Sequence, residues 1–108
     1  MLPNFSRTVS LALLLLVSSA ACIAETPGAA TYKAKCLMCH GATGLADTGP
    51  GKALNAHPFN TPEVMKESDA ELAAVITNGK NKMPSFNGKL NDAQIKDVLV
   101  YIHTLQKK

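Results

Sequence analysis

The residues best suited to chemistry in this sequence form the pentapeptide Cys36-Leu37-Met38-Cys39-His40. Two thiols separated by two residues can add across the two vinyl groups of one porphyrin and hold it through thioethers. The imidazole of the next residue then lies beneath the iron, where a nitrogen ligand is expected. The spacing C-x-x-C-H therefore predicts one covalent c-type haem, attached at Cys36 and Cys39, with His40 as an iron ligand.

The same two cysteines have two other interpretations. A dithiol redox pair normally lies beside a βαβ pattern, and this sequence does not alternate strands with helices. A zinc site would need a fourth ligand beyond the two cysteines and His40. The remaining histidines that could supply it are His57 and His103. Haem attachment is the favoured interpretation of the motif.

A single methionine, Met83, stands in a polar segment flanked by Gly79 and Gly88. A side chain in such a loop has no helical face to pack on, and a thioether opposite a histidine raises the reduction potential of haem iron. Pro84 stiffens the segment and favours an extended backbone at Met83. We therefore predict Met83 as the second iron ligand, with simple gap filling as the alternative.

Other side chains compete less well for this second iron position. Met65 is predicted on a short helix, and Met38 lies inside the haem motif, where geometry denies it the far face. His57 stands in the loop expected to cover the near face. Ligation by two histidines, with His57 or His103 as the second, is the alternative.

The segment 26–40 is predicted to be a helix that carries the haem motif at its end. Gly28, Tyr32 and Cys36 are spaced by four, so they share one face. A glycine on that face lets a second helix approach closely. These residues suit a contact with another helix next to the cysteines, and a short solvent-exposed helix without such a contact is the alternative.

The segment 41–60 is rich in Gly, Pro, Asn, Asp and Thr and predicts a long irregular loop. Loops of this length are uncommon unless they are functional. Within it, Thr48-Gly49-Pro50 is the notable part, because the fixed φ of Pro50 can aim its carbonyl. A carbonyl that accepts from His40 Nδ1 would orient the ring, although an ordinary turn is the alternative.

Three capping signals place the remaining helices. Thr61 and Pro62 begin a short one, and Ser68 with Glu71 forms a capping box for the next. Asn91 caps the last helix, which carries the clearest amphipathic pattern in the chain. No period-two strand pattern is present, so the predicted class is all-α. The apolar stripe of the last helix consists of Ile95, Val98, Leu99, Ile102 and Leu105.

Residues 1–24 have the features of a cleaved secretory signal peptide. Arg7 precedes an apolar run at 9–17 that is too short to span a bilayer, and small residues follow. Cleavage after Ala24 would begin the mature chain at Glu25. Alternatively, Ser19-Ala20-Ala21-Cys22 resembles a lipobox, which would leave a lipid on Cys22. We expect export to the periplasm, with a lipid-anchored form as the less favoured outcome.

The remaining residues 25–108 fit one small domain. A chain of about 84 residues commonly needs a staple to be stable, and a covalent haem would provide one. The segment has ten lysines and eight acidic residues, a net charge of about +2. This balance excludes a strong nucleic-acid footprint.

Several features occur in a particular order along the chain. The sequence has Gly28-x-x-x-Tyr32-x-x-x-Cys36-x-x-Cys39-His40-Gly41, then Gly49-Pro50, then Met83-Pro84-Ser85-Phe86, and finally a helix with Tyr101. Over nearly all of residues 25–108 this order resembles the class I monohaem cytochromes c, particularly the short soluble bacterial and photosynthetic members.

The resemblance implies the small cytochrome c fold, in which the N- and C-terminal helices cross at Gly28 and Tyr101. One departure is the absence of tryptophan, so a haem propionate must be contacted by other groups, with Asn55, Asn60 and Tyr32 as candidates. The implied cofactor site comprises thioethers at Cys36 and Cys39, axial His40 and Met83, and a Pro50 carbonyl on His40.

With both axial positions filled, the iron has no site for a substrate. The expected function is therefore one-electron transfer by a monomeric carrier rather than catalysis. Redox proteins are the expected partners, and lysines that flank the haem segments could attract acidic docking surfaces. An ordinary set of solvated lysines is the alternative. The alternatives are a haem enzyme or gas-binding protein with a displaceable sixth ligand, and a haem subunit tethered to a respiratory complex. The flanking lysines are Lys33, Lys35, Lys80, Lys82 and Lys89.

Overall fold

A computed structural model describes residues 17–21 and 24–108 of the chain. In this part every regular element is helical, which confirms the predicted all-α class, and one isolated bridge joins Lys80 to Met83. The six helices are α1 (Pro27–Lys35), α2 (Leu37–His40), α3 (Gly49–Ala53), α4 (Pro62–Met65), α5 (Asp69–Asn78) and α6 (Asp92–Gln106).

The caps that begin α4, α5 and α6 form as the sequence predicts. The Thr61 hydroxyl accepts from the Val64 amide at the start of α4. Both reciprocal bonds of a capping box are present at the start of α5, between Ser68 and Glu71. Asn91 and Gln94 form the same capping box at the start of α6. Each cap satisfies amides that the first helical turn leaves without a partner.

The predicted helix over 26–40 is wrong in one respect, because it is two helices. Cys36 has φ −118° and ψ −30°, which ends α1, and α2 begins at Leu37. The Cys36 amide still donates to the Tyr32 carbonyl at 2.8 Å, so this hydrogen bond is kept at the break between the two helices.

The predicted loop over 41–60 also contains structure of its own. Thr48 caps α3 by accepting from the Gly51 amide at 2.9 Å, and Pro50 occupies the first turn. Proline is favoured there because its missing N–H would have no helical partner. The composition predicted irregular backbone, but this cap was sufficient to begin a short helix.

The core lies between α1, α5 and α6. Tyr32 and Val98 are 1% and 0% exposed, and the whole apolar stripe predicted for α6 is buried. We refer to this buried set as the helical core, and the partly buried Cys36 and Met83 pack against it. The helical core consists of Tyr32, Ile76, Phe86, Leu90, Ile95, Val98, Leu99, Ile102 and Leu105.

The crossing of α1 and α6 depends on the absence of a side chain at Gly28. A Cβ at this position would lie 2.0 Å from the Asp97 carbonyl oxygen, so only glycine allows the backbones to approach so closely. One turn along, the rings of Tyr32 and Tyr101 are 5.1 Å apart. The predicted crossing at Gly28 and Tyr101 is therefore confirmed.

Of residues 1–24, the structure describes only 17–21 and 24. The predicted signal peptide and the alternative lipid site at Cys22 thus concern positions that are largely or wholly outside the described residues. They stay predictions. Among the described residues, none of the helices combines the length and the apolarity needed to cross a bilayer.

We predict that Gly28→Ala lowers the free energy of unfolding by about 1–3 kcal/mol, because overpacking forces the two helices apart. Chemical denaturation of the haem-loaded protein measures this effect. The matched control is Gly49→Ala, since a Cβ at Gly49 meets nothing within 4 Å. Equal stability of the two variants would contradict the steric account of the crossing.

Candidate functional site

The Cys36 to His40 turn presents both cysteines as free, partly buried thiols. The amides of Cys39 and His40 both donate to the Cys36 carbonyl, at 3.3 and 3.0 Å, and this fixes the turn. Burial, with a smaller contribution from Cys39, raises the pKa of the Cys36 thiol to about 11. Dithiol redox enzymes need a lowered thiol pKa, so the environment of Cys36 disfavours the dithiol interpretation.

His40 is partly buried, and burial lowers the pKa of its imidazole. A neutral ring is the form that binds a metal. Its Nδ1 atom is buried and has no hydrogen-bond partner within the described residues. Such an atom is unusual in a folded protein and needs an explanation. An imidazole that is positioned to ligate a metal, and whose Nδ1 still lacks an acceptor, explains this unpartnered atom.

Pro50, the acceptor predicted for His40 Nδ1, does not make that hydrogen bond in this structure. Its carbonyl accepts from the Leu54 amide at 2.9 Å, in the last turn of α3. A carbonyl oxygen has two lone pairs, so this bond leaves one for a second donor. The contact between Pro50 and His40 therefore stays a prediction for the haem-bound protein.

Tyr32 links the α1–α6 crossing to the haem motif. Its buried phenol donates to the Gly41 carbonyl at 2.6 Å, directly after His40. Burial, and to a lesser extent Cys36, raises the pKa of Tyr32 well above its usual range, so the phenol keeps its proton and donates. Because this hydroxyl is engaged, the exposed Asn55 and Asn60 are the remaining predicted candidates for a propionate contact.

Thr48 holds α3 against the haem motif from the other side. Its hydroxyl donates to the Met38 carbonyl at 2.7 Å, with the Cys39 carbonyl at 3.2 Å. A Cβ on Gly51 would lie 2.2 Å from the same Cys39 carbonyl, so glycine is needed for this close approach. We did not identify these two roles from the sequence. A threonine two residues before a proline is a capping signal that could have identified Thr48.

Phe59 is a further residue that the sequence analysis missed. Its ring stacks on the His40 ring, with centroids 4.7 Å apart and an angle of 25° between the planes. It also meets the Tyr32 ring edge-on at 6.2 Å. A phenylalanine in a polar loop gives no periodic signal, so the sequence did not indicate which residue it would contact.

The Met83 segment is fixed by hydrogen bonds to the end of α5. Met83 and Lys80 exchange both backbone hydrogen bonds, at 2.9 and 3.2 Å, and close a tight turn. Beyond it, the Ser85 hydroxyl donates to the Thr77 carbonyl at 2.7 Å, and the Phe86 amide donates to a carbonyl of α5 at 3.1 Å. The thioether is thus carried on a well-defined loop, partly buried against the helical core.

The competing ligands are placed less suitably. Met38 and Met65 are 74% and 54% exposed. His57 is exposed, while both ring nitrogens of His103 are engaged at 2.7 Å by the side chains of Gln106 and Asp69. Within residues 17–21 and 24–108 no three His, Cys, Asp or Glu side chains converge as metal ligands, so the zinc site is not formed there.

The residues present fit a covalent haem. Two free thiols and a neutral imidazole lie on one turn, and the imidazole has an orphaned Nδ1. The turn is buttressed by Tyr32 and Thr48. Cys36 and Met83 both pack against the helical core.

Known proteins are similar to this chain in sequence and in fold. The family described as cytochrome C oxidase, cbb3-type, subunit III matches residues 24–102. The chain is 36% identical over 84 residues to the CcoP subunit of a cbb3-type oxidase from Azospirillum brasilense, covering 76% of this chain but only 28% of CcoP. It is 36% identical over 80 residues to cytochrome c6 from a Picosynechococcus species, covering 69% of this chain and 68% of that protein.

A third relative is an enzyme, the dihydro-heme d1 dehydrogenase of Pseudomonas aeruginosa, 33% identical over 100 residues. The similarity covers 90% of this chain but 19% of the dehydrogenase. Among solved structures, the c-type cytochrome KustC0563 superposes with a TM-score of 0.65 at 28% identity, over 71% of this chain and 94% of its own. Cytochrome c6 from the diatom Phaeodactylum tricornutum superposes with a TM-score of 0.57 at 28% identity, over 75% and 92%.

These similarities confirm two predictions made from the sequence. The fold is the small all-α fold of class I cytochromes c. The cofactor is a covalent c-type haem, for which Cys36 and Cys39 are in position. The site residues themselves stay predictions, supported by the geometry described above.

We predict that Tyr32→Phe lowers the free energy of unfolding by about 1 kcal/mol, the usual net value of one hydrogen bond. The loss is limited because the Gly41 carbonyl also accepts from the Gly44 amide at 3.3 Å. Urea denaturation of the haem-loaded protein measures it. The matched control is Tyr101→Phe, whose hydroxyl makes no hydrogen bond within the described residues. If both variants lose the same stability, the Tyr32 bond does not brace the motif.

Proposed function

Because the chain belongs to the class I cytochromes c, small monohaem proteins that carry electrons on a c-type haem, we propose that it is a periplasmic one-electron carrier with iron held between His40 and Met83. The placement of Met83 carries this proposal. Its thioether is half-buried on a fixed loop that packs against the same helical core as Cys36. The exposed Met38 and Met65 lack this placement.

Each residue has a distinct role in such a carrier. Cys36 and Cys39 would anchor the porphyrin through thioethers, and His40 and Met83 would supply an imidazole nitrogen and a thioether sulfur to the iron. A soft sulfur ligand favours the ferrous state and raises the reduction potential. The bound group would supply one-electron chemistry. With two protein ligands on the iron, no position would be left for a substrate.

The charged surface of the chain suits a carrier that docks briefly. Lys33 and Lys35 lie in the last turn of α1, just before the haem motif, and Lys80 and Lys82 lie in the Met83 turn. With Lys89, these lysines are exposed and make no ion pair within the described residues. A basic rim of this kind would steer an acidic redox partner toward the haem edge.

Two relatives favour a second candidate, a haem domain that serves a larger complex. CcoP is a subunit of an oxidase, and the dehydrogenase from Pseudomonas aeruginosa is an enzyme, and in both the similarity covers under a third of the relative. In such an assembly the domain could receive electrons from a fused or tethered partner. A lipid on Cys22 would supply a tether, whereas cleavage after Ala24 would release a free carrier.

An intact-mass measurement on the exported protein separates these candidates. A mass equal to residues 25–108 plus one haem supports the free periplasmic carrier. A mass that retains Cys22 with added lipid supports the tethered form, and the absence of haem overturns both. The ferric spectrum then tests ligation, because a low-spin iron with a far-red band indicates a sulfur ligand, whereas a high-spin iron that binds cyanide quickly indicates an enzyme or a gas-binding protein.

We predict that Met83→Ala abolishes the far-red band, makes the ferric iron high-spin and lowers the reduction potential, since a Met ligand opposite His raises it. Absorption spectroscopy and redox titration measure these changes. Met38→Ala and Met65→Ala are matched controls that remove an exposed thioether and should leave the spectrum unchanged. Persistence of the band in Met83→Ala would rule out this residue as the sixth ligand.

We predict that replacing the five rim lysines with glutamine slows association with an acidic redox partner at low salt by about tenfold or more, the range of electrostatic steering. The wild-type rate should also fall as ionic strength rises, because salt screens exposed charges. Stopped-flow electron transfer measures both rates. Lys66→Gln with Lys96→Gln is the control, as these exposed lysines lie outside the haem-flanking segments. A wild-type rate that is independent of ionic strength would contradict the docking model.

A further inference from the structure

Phe59 connects the proposed iron ligand His40 to the distant end of α6. Its ring lies against the His40 ring at 4.7 Å, as described above. Its amide donates to the Gly44 carbonyl at 2.9 Å, and its carbonyl accepts from Gln106 Nε2 at 3.0 Å. The backbone of Phe59 is therefore held on both sides. Of these two hydrogen bonds, only the one from Gln106 connects the Phe59 loop to a helix, α6.

Gln106 belongs to a chain of side-chain hydrogen bonds that also includes His103 and Asp69. His103 Nδ1 lies 2.7 Å from Gln106 Oε1, and His103 Nε2 lies 2.7 Å from Asp69 Oδ1. Since a carbonyl only accepts, the amide group of Gln106 must face Phe59 and its oxygen must face His103.

The same geometry bears on the protons of His103. The amide oxygen of Gln106 and the carboxylate of Asp69 both accept, so the two hydrogen bonds form together only when each ring nitrogen of His103 carries a proton. The chain of hydrogen bonds is therefore complete only with a doubly protonated, charged imidazole. The hydrogen bonds to Gln106 and then to Asp69 raise the pKa of His103, while partial burial and Lys107 oppose this effect.

Few charged groups surround this histidine in the described structure. Asp69 faces it from α5, and Lys107 lies just beyond the end of α6. The loop that carries Phe59 contributes only the carbonyl bound by Gln106. The side chains of His103 and Asp69 are 38% and 71% exposed, so protons and salt have ready access.

We propose that Gln106 and His103 are positioning residues for the iron ligand His40, and that loss of a proton from His103 loosens the hold of Gln106 on Phe59. The state of this strap, defined as Asp69, His103, Gln106 and Phe59, then makes the reduction potential depend on pH. The inference rests on the proposed ligation by His40. It concerns a side-chain network outside the haem motif and outside the Met83 loop.

Deprotonation disrupts the strap because a neutral imidazole has a single N–H. If that proton stays on the nitrogen facing Asp69, the bare Nδ1 faces the amide oxygen of Gln106, and two acceptors repel. Rotation of the amide relieves this contact, but it turns the oxygen toward the Phe59 carbonyl and loses that bond. The remaining proton stays on Nε2, because the charged carboxylate of Asp69 binds a donor more strongly than the neutral amide oxygen of Gln106 does. Deprotonation therefore weakens the hold of Gln106 on Phe59.

Linkage makes the proposal measurable. If protonation of His103 shifts the affinity of the iron for an electron, then oxidation state must shift the proton affinity of His103 by the same factor. We expect a difference of about fivefold between the ferric and ferrous proteins, at the lower end of typical coupling between two sites. NMR titration of the His103 ring protons in each oxidation state measures this factor directly.

The experiment uses the haem-loaded protein with His57→Gln as background, which leaves His103 as the one histidine outside the haem motif. In that protein, the His40 ring and haem methyl signals should follow the His103 titration. Gln106→Leu removes both hydrogen bonds of the amide. Gln106→Glu keeps an acceptor for His103 but cannot donate to Phe59. In both variants His103 should still titrate, whereas the His40 signals should no longer follow it and the fivefold difference should shrink.

Each outcome has a defined meaning. If the His40 signals follow the His103 titration equally well in Gln106→Leu or Gln106→Glu, the iron site responds only to the charge on His103. That result overturns the proposed role of the strap. The proposal is also overturned if the His40 signals do not change with the His103 titration in the His57→Gln protein. Should Gln106→Leu fail to fold, Gln106→Glu decides alone. The wild-type ferric spectrum tests ligation independently, so failure of the proposed function is recognised before any variant is compared.

Discussion

The hydrogen bond from the Tyr32 phenol to the Gly41 carbonyl is the contact on which the geometry of the haem motif depends. It joins the α1–α6 crossing, where the backbones touch at Gly28, to the residue that directly follows His40. Tyr32 is 1% exposed, so the bond is shielded from water and its geometry follows the packing of the two helices. The position of the proposed iron ligand His40 therefore depends on the crossing of α1 and α6 rather than on its own short helix, α2.

Features encoded by neighbouring residues could be predicted from the sequence. The capping boxes at Ser68 and Asn91 depend on side chains three positions apart, so their outcome hardly depends on the rest of the fold. The α6 stripe likewise follows from a helical period that any partner surface would bury. The helix crossing at Gly28 was less predictable from these residues alone, because a glycine at helical spacing also suits a short solvent-exposed helix. It was expected from the resemblance to the class I cytochromes c.

Features created by distant residues could not be predicted in this way. Gln106 bonds to Phe59 across 47 positions, and no local pattern links an amide at the end of one helix to a carbonyl in a loop. The sequence predicted one helix across Cys36 because the residues on both sides favour a helix. The break there is visible only in the backbone angles of Cys36. For Pro50, the sequence identified an acceptor but not its competing bond to Leu54.

The two proposed iron ligands are held by different parts of the chain, and this bears on the choice between a carrier and an enzyme. His40 is braced by α1 and α3, whereas Met83 is fixed to the end of α5. To displace Met83, a substrate would have to move a turn closed by two backbone bonds and joined to α5 by further hydrogen bonds. Segments that open easily have few such contacts. The bonding of the Met83 loop therefore favours a thioether that stays in place, as the proposed electron carrier would require.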